Sequence, residues 1–272
     1  MSPIGIFDSG YGGLSILRDI RARLPQYDYL YLGDNARAPY GTRSFDLVYQ
    51  FTLQAVTHLF DAGCPLVILA CNTASAKALR SIQQNDLPRR PGNERVLGVI
   101  RPTVEAIGTA TCSRHVGLLA TDGTVASRSY DIELSKLHPD IRLTTHACPL
   151  WVPIVESGSQ DRPGARLIIK EDIDALLARD SAIDTLILGC THYPLLLSQI
   201  RACTPPHIRI VTQGTIVADS LADYLRRHPE IDATLTRGAT LRTLTTEDPA
   251  RFNPMAEVFL GHSVAAHRLD RI

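Results

Sequence analysis

Two cysteines lie in matching sequence surroundings and could act together as acid and base. Cys71 follows Val-Ile-Leu-Ala and precedes Asn-Thr, and Cys190 follows Leu-Ile-Leu-Gly and precedes Thr-His. Each thiol comes where a buried strand is predicted to give way to a helix, and a thiolate at a helix N-terminus has a pKa below the free value of about 8.5. A substrate carbon held between two such thiols could lose a proton to one and gain a proton from the other. This pattern predicts a racemase that needs no cofactor.

Other ionisable side chains are placed to tune these thiols. His192 lies two positions after Cys190, and Asp8 ends the first predicted strand. Glu156 is a lone carboxylate at the end of the apolar, proline-marked segment 147–156. An imidazole and carboxylates near two thiols are suited to proton transfer.

Each of these residues also has an ordinary structural explanation. A cysteine on an aliphatic strand is usually a small buried hydrophobe, but the repeated polar flanks favour chemistry for Cys71 and Cys190. We apply the structural explanation to the other cysteines, Cys64, Cys112, Cys148 and Cys203. His192 could be a satisfied buried histidine, and Glu156 could be a solvated charge. Helix caps or turn chemistry could account for Asp8, Ser9, Tyr40, Gly41, Asn72 and Thr73.

The elements that must position these groups follow an alternating strand and helix pattern. Apolar segments at residues 4–7, 29–32 and 66–70 predict buried parallel strands. The carboxyl ends of such strands form the ligand crevice of open α/β sheets. The glycine-rich turn at residues 8–13 lacks the sequence of a nucleotide-binding loop, and we expect its glycines to let the backbone approach a small anionic ligand. Alternation at residues 240–245 predicts a half-exposed strand at a sheet edge.

The second half of the chain repeats the organisation of the first. The strand and turn at residues 116–124 resemble the opening strand and turn, and Cys190 follows them at a distance similar to that between Asp8 and Cys71. Prolines, a glycine and arginines at residues 85–95 mark the first crossing between the halves. The sequence therefore predicts two similar α/β lobes that face each other.

Composition limits the partners and the compartment. The chain has 272 residues, 44% of them hydrophobic and 21% charged, which is typical of a globular protein. Basic and acidic residues number 28 each, so no net field favours nucleic acid or a membrane surface, and a small-molecule substrate fits better. The cysteines show no C-x-x-C spacing, which argues against a metal site and favours a reducing compartment. We expect a cytoplasmic protein, because no signal segment and no apolar run of roughly 18 residues is present.

At these residues the chain resembles the cofactor-independent aspartate/glutamate racemase family, and within it the glutamate racemases. The resemblance spans nearly the whole chain. Its motifs are Phe-Asp-Ser-Gly at 7–10 followed by Gly12 and Gly13, Gly-Asp at 33–34, Pro-Tyr-Gly-Thr-Arg at 39–43, Ala-Cys-Asn-Thr-Ala-Ser at 70–75, Ala-Cys-Pro at 147–149 with Glu156, and Gly-Cys-Thr-His-Tyr-Pro at 189–194.

The resemblance implies a fold and a reaction. The fold would be two pseudo-symmetric α/β domains with mainly parallel sheets and the active site in the cleft between them. The C-terminal segment would return to the first lobe, giving residues 1–97 plus 210–272 for the first lobe and 98–209 for the second. The protein would interconvert L- and D-glutamate without a cofactor or metal and would supply D-glutamate for peptidoglycan.

Residue roles follow from the same resemblance. Cys71 would take the proton from D-glutamate, and Cys190 would take it from L-glutamate. Asp8 would assist Cys71. His192 and Glu156 would assist Cys190. Substrate contacts would come from Asp8, Ser9, Tyr40, Gly41, Asn72, Thr73, Thr191 and His192, with Thr121 and Thr124 as further candidates.

Two segments depart from the family pattern. Asn35 replaces the small hydroxyl residue usual after Gly-Asp, and Val-Thr-Gln-Gly at residues 211–214 replaces an acidic, serine-containing segment. These departures concern loop geometry and the oligomer interface rather than the chemistry.

Other functions stay open at this point. A related aspartate racemase would keep both cysteines, and a non-catalytic amino-acid-binding protein would need neither thiol. Association as a homodimer is a further expectation that the sequence does not decide.

Overall fold

The chain forms two parallel sheets with helices packed on them. The computed structural model describes residues 2–269. The strands of the first sheet are β1 (Ile4–Asp8), β2 (Tyr29–Gly33), β3 (Leu66–Leu69), β4 (Arg95–Gly98), β9 (Leu241–Thr245) and β10 (Ala266–Arg268). Those of the second sheet are β5 (His115–Ala120), β6 (Arg142–Ala147), β7 (Thr185–Gly189) and β8 (Arg209–Val211).

The helices alternate with these strands along most of the chain. The α-helices are α1 (Gly13–Arg23), α2 (Phe45–Asp61), α3 (Asn72–Lys77), α4 (Leu79–Ser81), α5 (Ile100–Ala110), α6 (Asp122–Ser127), α7 (Ser129–Leu137), α8 (Trp151–Glu156), α9 (Pro163–Leu177), α10 (Leu197–Cys203), α11 (Gly214–Arg227), α12 (Pro229–Asp232) and α13 (Pro249–Leu260). Short 3₁₀-helices span Asn35–Arg37, Leu87–Arg89 and Tyr193–Leu196, and a π-helical turn spans Ile82–Asp86. Within the described part of the chain, no helix combines the length and apolar character needed to cross a membrane.

The two sheets share one topology. The strand order β6-β5-β7-β8 in the second sheet repeats the order β2-β1-β3-β4 in the first. In the first sheet the chain runs from β1 to its neighbour β2 and then crosses to β3 on the other side of β1. In the second sheet it runs from β5 to β6 and then crosses to β7 on the other side of β5. This creates a switch point between β1 and β3 and another between β5 and β7, where open α/β sheets bind ligands. The predicted fold class, two similar α/β lobes with parallel sheets, is confirmed.

Three of the four strands at the switch points are buried along their whole length. Every residue of β1, β3 and β7 is buried, as expected for parallel strands covered on both faces. Side chains of β1 alternate between two apolar clusters, because successive residues of a strand point to opposite faces. Ile4 and Ile6 join a cluster that continues into the second lobe, whereas Phe7 joins a cluster that includes side chains of α2.

The C-terminal part of the chain packs on the first lobe. Helix α11 packs along α1, and β9 and β10 extend the first sheet beyond β2. The predicted boundary at 209/210 falls inside β8, which pairs with β7 through all three of its residues. The second sheet therefore extends to Val211. The division of the chain into a first lobe of residues 1–97 plus 210–272 and a second lobe of residues 98–209 otherwise stays a prediction. Residues 1 and 270–272 of the first lobe lie outside the described residues.

The strand predicted at residues 240–245 is not at an edge. Strand β9 pairs with β2 on one side and with β10 on the other. The predicted edge position is wrong, because the short strand β10, twenty or so residues later in the chain, covers that side.

Candidate active site

A cavity of about 160 Å³ lies between the lobes, where the strands of both switch points end. Cys71, which follows β3, and Cys190, which follows β7, both line it. Other predicted site residues in its wall are Ser9, Tyr40, Gly41, Asn72, Thr73, Thr121, Glu156, Thr191 and His192. The volume is below the roughly 300 Å³ at which pockets for drug-sized ligands begin. The cavity therefore suits a small metabolite.

Cys71 is held by a backbone amide and a hydroxyl group. Its Sγ accepts the N–H of Ala74 at 3.4 Å and lies 3.4 Å from Oγ of Ser9. Burial, and to a smaller extent the charge of Asp8, raises the pKa of the thiol to about 12, while the two hydrogen bonds act in the opposite direction. The lowered pKa predicted for this thiol is wrong, because loss of hydration outweighs two long contacts to sulfur.

Cys71 is also the N-cap of α3, a role that the sequence left open for Asn72 and Thr73. Its side chain caps α3 by accepting the N–H of Ala74. Asn72 and Thr73 follow as the first helical residues, and both side chains are almost fully buried. Neither is the N-cap, so their polar groups are available for other contacts.

Cys190 faces an imidazole ring. Its Sγ lies 3.9 Å from Nδ1 of His192, and Nε2 of that ring lies 3.0 Å from Oε1 of Glu156. Burial acts to lower the pKa of His192, but hydrogen bonds to Cys190 and Glu156 raise it to about 10. At neutral pH both ring nitrogens therefore carry protons and can donate, one to sulfur and one to the carboxylate. The ring is placed to stabilise negative charge on the Cys190 sulfur.

Asp8 is fully buried and connects the two lobes. Its Oδ2 accepts the N–H of Gly10 at 2.8 Å, and its Oδ1 accepts the hydroxyl of Thr191 at 3.5 Å. Burial raises the pKa of Asp8, and the nearby His192 acts in the opposite direction. The negative charge of Asp8 raises the pKa of the Cys71 thiol. Asp8 does not line the cavity and contacts it through Gly10 and Thr191, which do.

Gly12 allows the lobes to approach closely. A Cβ atom at this position would overlap Oγ1 of Thr191 and lie 2.6 Å from Nδ1 of His192. The hydroxyl of Ser15, in the same helix start, donates to the Thr191 carbonyl at 3.1 Å. Gly12 thus makes room for the second lobe, a role that was not predicted, and the expectation that these glycines let the backbone approach a ligand stays a prediction. Gly10 does line the cavity.

The loop that carries Tyr40 and Gly41 is anchored by a buried carboxylate. Oδ2 of Asp34 accepts the Tyr40 hydroxyl at 2.5 Å and Nε of Arg37 at 2.6 Å. The carbonyl of Gly41 accepts the N–H of Gly123 from the second lobe at 2.8 Å. No role of its own was predicted for Asp34, although it belongs to the Gly-Asp motif at residues 33–34.

Three threonines meet across the lobes beside Cys71. Oγ1 of Thr73 lies 2.9 Å from that of Thr121 and 3.3 Å from that of Thr124. Thr73 and Thr121 line the cavity, whereas Thr124 is 1% exposed and hydrogen-bonded to Thr121 at 3.1 Å. Thr124 is therefore placed to orient the other two hydroxyls.

Comparison with known proteins agrees with this geometry. Residues 14–221 match the family model described as Asp/Glu/Hydantoin racemase. The chain belongs to this racemase family. A glutamate racemase from Roseobacter denitrificans is 43% identical over 267 residues, which cover 94% of this chain and 96% of that protein. The family identified from the motifs is thus confirmed.

Solved racemase structures share the fold over nearly the whole chain. The crystal structure of glutamate racemase isoform RacE1 from Bacillus anthracis has a TM-score of 0.89 at 32% identity and covers 99% of this chain and 97% of its own. The crystal structure of glutamate racemase from Francisella tularensis in complex with D-glutamate has a TM-score of 0.86 at 31% identity. The match covers 97% of this chain and 95% of that one.

This racemase also brings together one group of candidate metal ligands among the described residues. The ligand atoms of His146, Cys148 and Asp172 lie within 4.8 Å of one another. Both oxygens of Asp172 are engaged, one with Nε2 of His146 at 2.9 Å and one with Nε1 of Trp151 at 2.6 Å. Burial raises the pKa of the Cys148 thiol well above its usual range, which disfavours the thiolate that a metal requires. The group is accounted for as a hydrogen-bond network anchoring α8, which carries Glu156.

A larger cavity of about 620 Å³ lies elsewhere in the racemase, between α4, α5, α7 and α11. None of the predicted catalytic or substrate-contact residues lines it. Its charged groups partly neutralise one another, since Glu133 pairs with Arg80 at 3.3 Å and with Lys136 at 2.6 Å. The smaller cavity with both thiols is therefore the candidate active site.

Sequence analysis missed residues that complete the site of this racemase. Cys148, treated there as structural, lines the cavity, and its Ala-Cys-Pro motif was the available signal. Gln213 and Tyr130 are hydrogen-bonded to Asn72. The departure from the family pattern at residues 211–214 was the signal for Gln213. Nothing in the sequence singled out Tyr130.

Proposed function

We propose that this chain is a glutamate racemase that interconverts L- and D-glutamate by proton transfer between Cα and two cysteines, without a cofactor. One observation carries the proposal: Cys71 and Cys190 line the same small cavity from opposite lobes. The relatives described above are named glutamate racemase, and one of them is in complex with D-glutamate. Family and geometry support the same reaction.

The surroundings of the two thiols favour one starting arrangement. Cys71 is a neutral thiol at neutral pH because its pKa is about 12. Cys190 lies against the protonated ring of His192. In the L-to-D direction, the Cys190 thiolate takes the α-proton and becomes a thiol, leaving an electron pair on Cα. Cys71 then gives its proton to the opposite face of Cα and becomes a thiolate. The D-to-L direction is the reverse.

The surrounding residues support these two steps. His192, held by Glu156, would stabilise the Cys190 thiolate, and Ser9 would stabilise the Cys71 thiolate. Asp8 and Thr124 would position Thr191 and Thr73. The proposed direct contacts to the substrate are Ser9, Tyr40, Gly41, Asn72, Thr73, Thr121, Thr191 and His192.

The biological setting is proposed on the family resemblance. D-glutamate made by this enzyme would serve peptidoglycan synthesis. A cytoplasmic location is supported by the six cysteines, which are all free. Association as a homodimer stays a prediction, and sedimentation equilibrium of the purified protein would test it.

Circular dichroism of the purified protein tests the reaction without added cofactor. We expect the optical signal of L-glutamate to decay to zero, and that of L-aspartate to persist. In deuterated water the product should carry deuterium at Cα while the enantiomer formed is still scarce. Decay with aspartate alone would identify an aspartate racemase. Binding of glutamate with no exchange of the α-proton would identify an amino-acid-binding protein.

A further inference from the structure

A closed ring of hydrogen bonds joins the lobes directly beside Cys71. Nδ2 of Asn72 donates to Oε1 of Gln213 at 2.6 Å, and Nε2 of Gln213 donates to the hydroxyl oxygen of Tyr130 at 2.9 Å. The Tyr130 hydroxyl donates to Oδ1 of Asn72 at 2.8 Å, which closes the ring. None of the three residues is more than 3% exposed. Water therefore does not compete for these bonds.

Thr103, a neighbouring residue, determines in which direction the hydrogen bonds of the ring are donated. The Thr103 hydroxyl donates to the Val99 carbonyl at 2.7 Å, so its oxygen accepts the second Nε2 hydrogen of Gln213 at 2.8 Å. The single hydroxyl hydrogen of Tyr130 goes to Asn72. Because each hydroxyl has one hydrogen and each amide nitrogen has two, this pattern defines which side of each amide is nitrogen. A 3.2 Å contact from Nε2 of Gln213 to Oδ1 of Asn72 agrees with the same orientation.

The ring uses only part of the hydrogen-bonding capacity of Asn72. Its Oδ1 is the acceptor in the ring, and its Nδ2 gives one hydrogen to Gln213. One N–H remains, on a residue that lines the cavity beside Cys71. An amide N–H presented in a buried cavity is a suitable donor for a carboxylate. With the amide reversed, an oxygen would take the place of Nδ2 and no N–H would be left at that position.

We propose that Gln213 is a positioning residue of the racemase, which holds the Asn72 amide so that its remaining N–H binds a carboxylate of the substrate. The inference rests on the proposed function, because it takes an amino-acid carboxylate as the ligand. Gln213 lies between β8 and α11, where the chain leaves the second sheet. It belongs to the segment Val-Thr-Gln-Gly at residues 211–214.

The substitution Gln213→Met tests the proposal, since methionine is similar in shape, has no donor and is only a weak acceptor. We expect KM for both enantiomers to rise roughly 10- to 100-fold, the effect of losing a hydrogen bond to a charged group. We expect kcat to change by less than about threefold, because a carboxylate contact made equally in the ground state and the transition state affects KM. Calorimetric titration should show the same loss of D-glutamate affinity.

Tyr130→Phe is the second test, because it removes the hydroxyl that donates to Asn72 and accepts from Gln213, while the Gln213 side chain itself is kept. It should raise KM in the same way. The double variant should be no worse than the stronger single variant, since both substitutions break one ring. Tyr130→Phe also keeps the proposal falsifiable should Gln213→Met fail to fold.

Thr111→Val is the matched structural control. It removes a buried hydroxyl that donates to Asp184 at 2.6 Å in the second lobe, among residues that do not line the cavity. It should lower the melting temperature and leave KM unchanged. The inference is overturned if Gln213→Met and Tyr130→Phe lower the melting temperature in the same way and keep the wild-type KM and D-glutamate affinity.

The proposed function can fail separately from this inference. A wild-type protein without racemase activity overturns the proposed function. If that protein still binds D-glutamate and Gln213→Met weakens the binding, the positioning role of Gln213 stands. If it binds no D-glutamate, both proposals fall.

Discussion

The two cysteines lie at equivalent places in two similar lobes, yet their surroundings differ. Cys71 is contacted by the Ser9 hydroxyl and the Ala74 amide, whereas Cys190 is contacted by the ring of His192. Two positions after the cysteine, the first lobe has Thr73 and the second has His192. The repeated topology places two thiols around one cavity, but Cys71 is next to neutral hydrogen-bonding groups and Cys190 is next to a protonated imidazole ring.

This difference has a limit set by the reaction itself. L- and D-glutamate have equal free energies in water, so kcat/KM must be the same in both directions. The asymmetry of the site can therefore appear only in the separate values of kcat and KM, in isotope exchange and in pH dependence. The predictions below use those quantities.

The largest effects should come from removing one thiol at a time. Cys71→Ala and Cys190→Ala should each reduce racemisation by at least about 10²- to 10⁴-fold, the usual contribution of a positioned acid or base. In deuterated water, Cys71→Ala should still exchange the α-proton of L-glutamate, and Cys190→Ala should still exchange that of D-glutamate, as followed by proton NMR. Cys112→Ala, at an exposed thiol, is the control. Racemisation at the wild-type rate by either active-site variant would disprove the two-cysteine mechanism.

A smaller effect should follow when Glu156→Gln removes the charge that faces His192. The pKa of His192, about 10 in the wild type, should fall by about one to three pH units, as expected for loss of a nearby opposite charge. Because folding raises this pKa above 6.5, the stabilisation it provides is complete below about pH 6.5 and is lost as pH rises through about 10. The variant should weaken that pH dependence.

Histidine NMR and denaturant unfolding from pH 6 to pH 10 measure both consequences of Glu156→Gln. The control is Glu230→Gln, which breaks the exposed pair of Glu230 with His228 at 3.0 Å. An unchanged titration midpoint for His192 in Glu156→Gln would show that this carboxylate does not raise the pKa of the ring.

The smallest effect should come from Ser9→Ala, beside Cys71. Its hydroxyl lies 3.4 Å from Sγ of Cys71 and lowers the pKa of that thiol. Without it the Cys71 thiolate forms less readily, so kcat from D-glutamate should fall roughly two- to tenfold, the effect of one ordinary hydrogen bond. Circular dichroism in both directions measures this. An equal fall in kcat from L-glutamate would remove the proposed distinction between the two sides.

Much of the scaffold could be predicted from local sequence. The aliphatic runs before Cys71 and Cys190 indicate buried parallel strands, and the repetition of strand, turn and cysteine indicates two similar lobes. Most of the residues named from the motifs line one cavity. These features were readable because strand burial and motif order depend on residues close together in the chain.

Pairing between distant segments could not be read in this way. The position of β9 inside the first sheet depends on β10, and the extent of the second sheet depends on the pairing of β8 with β7. Short strands carry little sequence signal of their own, so their partners appear only when the sheet is assembled.

The sequence by itself determined which groups could do the chemistry: two thiols, an imidazole and carboxylates at strand ends. Only the tertiary structure decided their protonation states and orientation. The pKa of Cys71 rises because elements from elsewhere in the chain exclude water from it. The amide of Asn72 is oriented by Gln213 and Tyr130, which lie 141 and 58 residues away in the chain. Hydration and hydrogen-bond direction depend on everything that surrounds a group, and that environment exists only in the folded protein.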